Sequence, residues 1–155
     1  MTNICTIADD NFRLRFLAMR ESIERQGSDC NLNLLCLDDE IYNFVKTHYG
    51  DVKCYRVEDL VSEDPDLARA SNNDPSYEAL NVCKGNFEEA RKLQFIWALA
   101  SYFSWYCLEK LRLSDILYVD ADIYFFNSLE YIENLKNTGS IGLIENRIPD
   151  TSANG

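Results

Sequence analysis

The sequence predicts an α/β protein whose mostly parallel sheet is flanked by helices, and three observations carry that expectation. Extended apolar runs and helix-period segments alternate from the N-terminus, in the order strand, helix, strand, helix, strand. Residues 32–37 (Leu-Asn-Leu-Leu-Cys-Leu) form a near-continuous apolar run of the kind found in buried parallel strands. Further on, residues 115–126 (Asp-Ile-Leu-Tyr-Val-Asp-Ala-Asp-Ile-Tyr-Phe-Phe) read as a buried strand interrupted by two carboxylates.

The elements follow in order. Residues 3–8 read as the first strand, ended by the polar cluster Asp9-Asp10-Asn11. From 12 to 26, Phe16, Met19 and Ile23 recur at helical spacing, and Gly27 is placed to stop that helix. After the strand at 32–37, Asp38-Asp39 supply a turn and an N-cap for a short helix through Ile41, Phe44 and Val45. Residues 52–57 are a third strand. Residues 58–78 then collect seven acidic side chains against the single Arg69, with Pro65, Pro75 and Asn72-Asn73 as turn signals. This reads as a solvated acidic loop holding at most one helical turn. Residues 87–111 are a long helix, apolar almost all round, with Phe95, Leu99, Tyr102 and Tyr106 in one stripe and Ile96, Phe103 and Cys107 beside it. Such a helix is expected to be buried on several sides. A helix at 129–135 and a strand at 140–144 follow. The predicted domain spans 1–148, with 149–155 as a flexible tail.

The hydrophobic content of 46% is ample for one core, which excludes a disordered chain. A net charge of −11 excludes nucleic acid and anionic membranes as partners, since both demand a basic surface. The six cysteines show no CxxC pair, and Cys5, Cys36 and Cys54 lie inside apolar runs, which points to a reducing, cytoplasmic setting. No signal peptide is visible, and no run of about 18 apolar residues predicts a membrane span.

The chemistry concentrates at Asp120 and Asp122. On an extended strand they point the same way and Ala121 the other. At the C-terminal edge of a parallel sheet, two such carboxylates suit a hard divalent cation that keeps positions open for phosphate oxygens. An EF-hand starting at Asp120 fails, because its sixth and twelfth positions hold Phe125 and Tyr131. A haloacid-dehalogenase-like phosphatase remains a remote alternative, since the usual Gly-Thr turn is replaced by Ile123-Tyr124-Phe125. His48 is the only histidine, at a helix end, so Ser-His-Asp, Cys-His and multi-His sites are excluded. No glycine-rich phosphate loop is present. Arg91 and Lys92 form the only adjacent basic pair, at the start of the long helix, where a cation facing the carboxylates reaches a diphosphate and one facing solvent does not.

Three segments together resemble a known family. The opening Ile7-Ala8-Asp9-Asp10-Asn11-Phe12, the Ala90-Arg91 pair and Leu117-Tyr118-Val119-Asp120-Ala121-Asp122 resemble, in this order, motifs of family-eight and related glycosyltransferases. The resemblance covers about residues 3 to 147 and implies the GT-A, Rossmann-like fold. It also implies a donor that is a nucleotide-diphosphate sugar, UDP-linked in expectation, and an acceptor not defined by the sequence (saccharide, lipid-linked glycan or protein). Carried over, Ala8, Asp9, Asn11 and Phe12 would contact the nucleoside and Arg91 the sugar-phosphate side. Asp120 and Ala121 would also contact the nucleotide sugar, with Asp120 and Asp122 holding Mn²⁺ or Mg²⁺. These families continue into a second half with a further metal ligand, often His, and the acceptor site. Here no His follows position 48, and Glu145-Asn146-Arg147 stands where some relatives have Glu-His-Arg. The expectation is therefore a glycosyltransferase or its donor-binding half, with poor transfer by this chain alone. The alternative is a degenerate, non-catalytic nucleotide-sugar-binding module.

Overall fold

Thr2–Ala8 forms β1, and its side chains divide between two cores as strand alternation demands. Ile4 and Ala8 join Phe16, Met19, Ile23, Ile41 and Val45 on one side; Cys5 joins Leu35, Leu60, Leu99, Phe103 and Cys107 on the other. The computed structural model describes residues 1–135 and 139. Among these, β1, β2 (Cys30–Cys36), β3 (Lys53–Arg56) and β4 (Leu117–Tyr118) make one sheet in the order β3-β2-β1-β4, with every pair parallel. Helices α1 (Arg13–Arg25) and α2 (Asp39–His48) cover the first face. Helix α6 (Phe87–Glu109), with α3 (Val57–Glu63) and α4 (Pro65–Ala70), covers the second. Two short helices complete the order, α5 (Tyr77–Val82) before α6 and α7 (Glu130–Leu135) after β4. Phe16, Met19 and Phe103 are fully buried, each contributing about 1.5–3 kcal/mol by leaving water.

Local signals set most boundaries where the sequence places them. Gly27 stands just past α1 at φ +62° and donates to Glu24 O at 2.9 Å, the left-handed stop that a residue with a Cβ adopts only at a cost. Asp38 caps α2 by accepting from the Ile41 N–H at 2.9 Å. Inside the sheet, Asn31 Nδ2 donates to Asn3 Oδ1 at 2.9 Å, and Asn3 Nδ2 to the Asp115 carbonyl at 3.1 Å. This polar relay ties β2, β1 and the approach to β4 in register.

Three expectations change. Residues 58–78 are not an acidic loop but contain α3, α4 and the start of α5. Their acids are largely helix-start residues: Glu58 and Asp59, Asp66, and Glu78 lie in first turns, where the helix dipole favours negative charge. Asp64 caps α4 through the Asp66 and Leu67 N–H groups, Ser76 caps α5, and Leu60 and Leu67 anchor the segment on the sheet. Helix α6 is buried on one face only; Leu99 and Phe103 are fully covered while Trp97, Trp105 and Leu108 are exposed. The sheet covers one side of α6, and its aromatics continue round to the open one. Finally, β4 ends at Tyr118, so Asp120 and Asp122 are not strand residues. The expected strand at 140–144 and the tail from 149 lie outside the described residues. Among those described, no helix is long and apolar enough to cross a membrane.

Candidate functional site at the C-terminal edge of the sheet

The strand order places a topological switch between β1 and β4. From β1 the chain winds through β2 to β3 with helices on one face, then crosses by α3–α6 to the other face and returns beside β1. In open α/β sheets the C-terminal ends of strands diverge at such a point and leave a crevice. Here that crevice is a cleft of about 350 Å³ lined by Ala8, Asp9 and Phe12 from the exit of β1 and by Tyr118, Asp120, Ala121 and Asp122 from the exit of β4. Ile96, Trp97 and Ala100 of α6 form its third wall, with Ile7 and Leu37 completing the lining.

The exit of β1 is shaped by Asp9. Its Oδ1 accepts from the Phe12 N–H at 3.1 Å, capping a single 3-10 turn, Asp10–Phe12, and its Oδ2 accepts from Asn11 Nδ2 at 3.2 Å. That turn swings the Phe12 ring to the cleft. The Asp10 N–H donates to Asp38 Oδ2 at 2.9 Å, so the exits of β1 and β2 share one carboxylate.

Beyond β4, the Val119 N–H still pairs with the Cys5 carbonyl at 3.1 Å, and a turn follows, closed by Ile123 N–H on the Asp120 carbonyl at 3.1 Å. Both aspartates are exposed on this turn while Ala121 between them is buried, so the separation expected from strand alternation arises from turn geometry instead. The turn is anchored from α1: the Phe125 N–H donates to the buried Ser22 Oγ at 2.9 Å, between residues 103 positions apart. Tyr118 OH donates to Asp120 Oδ1 at 3.3 Å. Burial, and then the neighbouring carboxylate, push the Tyr118 phenol well above its ordinary range, so it remains a donor. Arg15 Nη1 lies 3.6 Å from Asp122 Oδ2, and its guanidinium stacks 4.6 Å over the Phe12 ring.

Of the residues singled out from sequence, Ala8, Asp9, Phe12, Asp120, Ala121 and Asp122 line the one cleft, and Asn11 and Arg91 do not. Asn11 is exposed and turned onto Asp9. Arg91 is held by Glu88 one turn back on α6, at 3.0 and 3.1 Å, because a carboxylate at i−3 on the same helix is the nearest partner. Sequence reasoning missed Trp97, Tyr118 and Arg15 as site neighbours. No motif in the sequence marks Trp97 or Arg15, and Tyr118 stands out only as part of the segment that precedes Asp120.

Three carboxylates line the cleft, and no Lys or Arg does, among the described residues. Among those residues no group of three or more His, Cys, Asp or Glu side chains is arranged to hold a metal ion. Two exposed carboxylates on one turn fit a hard cation that arrives with its own oxygen donors, as Mg²⁺ and Mn²⁺ do with phosphates, better than a resident ion in a closed cage. No protein-family model and no curated protein matches this chain.

Proposed function

We propose that the cleft is the donor site of a metal-dependent glycosyltransferase of the GT-A type, taking a nucleotide-diphosphate sugar. The observation that carries this reading is the convergence of Ala8, Asp9 and Phe12 with Asp120, Ala121 and Asp122 at the switch point, from opposite ends of the described chain. The apolar wall of Phe12, Ile96 and Trp97 suits a base or sugar ring, and the carboxylate end suits hydroxyls and a cation. Asp120 and Asp122 would hold the Mn²⁺ or Mg²⁺, with Tyr118 orienting Asp120. The bound cation would offset the charge that develops on the diphosphate leaving group. Asp9 would accept from ribose or base hydrogens with the lone pairs left free by the Phe12 N–H and Asn11 Nδ2, which already hold its two oxygens.

The test is thermal unfolding with nucleotide sugars, with and without Mn²⁺. A ligand present at 100 times its dissociation constant stabilises the native state by about 2.7 kcal/mol. The expected result is a rise in Tm that needs both sugar nucleotide and Mn²⁺, and that Asp120→Ala loses while keeping the unliganded Tm. An identical rise without metal, or in the variant, rejects the metal-bridged donor site.

A further inference from the structure

The cleft as lined poses an electrostatic difficulty. A diphosphate entering it meets Asp9, Asp120 and Asp122 on a chain of net charge −11. One divalent cation on two carboxylates is already neutralised by them, so a further positive group is needed for the phosphates. Arg91, the candidate from sequence, is engaged by Glu88 away from the cleft. Arg13, on the same helix as Arg15, is engaged by Asp10 and lies over Phe44.

Arg15 alone of these touches both sides of the site. Its guanidinium lies against the Phe12 ring, which belongs to the β1 exit, and against Asp122, which belongs to the β4 turn. The contact with Asp122 is loose at 3.6 Å, and both side chains are about half exposed, so it exchanges for a better partner at little cost. Stacking on Phe12 keeps the planar group at the cleft rim when that exchange happens.

We propose that Arg15 is the diphosphate-binding cation of this site, kept on Asp122 until a divalent cation takes that carboxylate. The proposal rests on the donor-site reading above. Without metal, Arg15 neutralises Asp122. When Mn²⁺ or Mg²⁺ occupies the aspartates, the guanidinium is released beside the incoming phosphates, where its fork of N–H donors suits their oxygens. Metal and Arg15 thus compete for one carboxylate and cooperate on one ligand.

The experiment titrates the full chain with UDP at saturating Mn²⁺ by calorimetry, and with Mn²⁺ alone by electron paramagnetic resonance. Arg15→Gln is compared with wild type and with Arg25→Gln, which removes a charge from the same helix at its Glu21 pair. For Arg15→Gln the expected result is UDP affinity lowered roughly tenfold or more, with Mn²⁺ alone bound at least as tightly as by wild type. Arg25→Gln is expected to match wild type in both. A parallel loss of Mn²⁺ and UDP binding in Arg15→Gln makes Arg15 a mere support of the turn and overturns the proposal. So does unchanged UDP affinity, or an equal loss in Arg25→Gln. Wild type failing to bind UDP with Mn²⁺ removes the donor-site reading itself, whereas wild-type binding with an indifferent Arg15→Gln removes only this inference.

Discussion

Ser22 shows how one small side chain can hold a site together. Its hydroxyl is fully buried, donates to the Met19 carbonyl at 2.6 Å and accepts from the Phe125 N–H at 2.9 Å. The first bond is a local helix contact that a serine makes readily. The second is the tether that fixes the chain just beyond Asp120–Ile123 against α1. Ser22→Ala leaves the Phe125 N–H without that acceptor, at an expected cost of about 1–3 kcal/mol in urea unfolding. Ser22→Thr, which keeps the oxygen, should lose less unless its added methyl overpacks the core. An alanine variant as stable as wild type would show that water replaces the hydroxyl. Ser22 belongs to a stretch that the family resemblance covers, yet its partner was not legible, because nothing in a sequence pairs a helix serine with an amide 103 positions away. Arg15 was hidden for the same reason. Of the residues that line the cleft, Asp120 and Asp122 were legible from an apolar strand run whose end in a parallel sheet has a known address, while Ala8, Asp9, Phe12 and Ala121 were singled out only through the family resemblance.

At the scale of elements, the strands and the helices α1, α2 and α6 were readable from apolar periodicity, since each buries one face on a single sheet. The acidic segment was misread because charge density resembles a solvated loop, while the caps that turn it into α3, α4 and α5 are single residues such as Asp64 and Ser76. The exposed side of α6 was misread because composition alone does not say how many faces of an aromatic helix find a partner. Asp38 is where elements and site meet. One of its oxygens caps α2 at Ile41 N–H and the other accepts from Asp10 N–H, each at 2.9 Å. Asp38→Ala should therefore cost about 1–2 kcal/mol for the lost cap. It should also loosen the Asp9–Phe12 turn, so that ligand binding at the cleft weakens more than stability does. Asp38→Asn retains a capping oxygen and should recover most of the stability in the same urea titration. Its amide NH2 cannot accept from the Asp10 N–H, so ligand binding at the cleft should stay weakened; equal losses of stability in the two variants would mean that the Ile41 cap is not what Asp38 contributes.

Across the whole molecule, the second face of the sheet carries a group of tyrosines whose ionisation depends on folding. Tyr55 packs edge-on to Tyr106 at 6.2 Å and against Phe103 at 5.7 Å. Tyr102 OH donates to Asp64 Oδ2 at 2.9 Å, joining α6 to the cap of α4. Tyr55, Tyr102, Tyr106 and Tyr118 are all pushed above the ordinary phenol value, in each case first by burial. For Tyr102 and Tyr118 a hydrogen-bonded carboxylate adds to the shift. The native state therefore holds these protons more tightly than the unfolded chain does. The stability they contribute is fully present below the unfolded value of about 10 and is lost as pH rises through the higher folded values. Alkaline titration followed by tyrosinate absorbance should show a late class of phenols, Tyr55, Tyr102, Tyr106 and Tyr118, that ionises only as far-ultraviolet circular dichroism is lost. In concentrated urea this late class should ionise at the unfolded value of about 10. Tyr102→Phe removes the bond to Asp64 and one member of the late class, and it frees Asp64 to cap α4 without a phenol on its second oxygen. If no phenol waits for the loss of the helical signal, the contacts that join α3, α4 and α6 over this face do not hold in solution. The wall that α6 gives the cleft through Ile96, Trp97 and Ala100 would then lose its support.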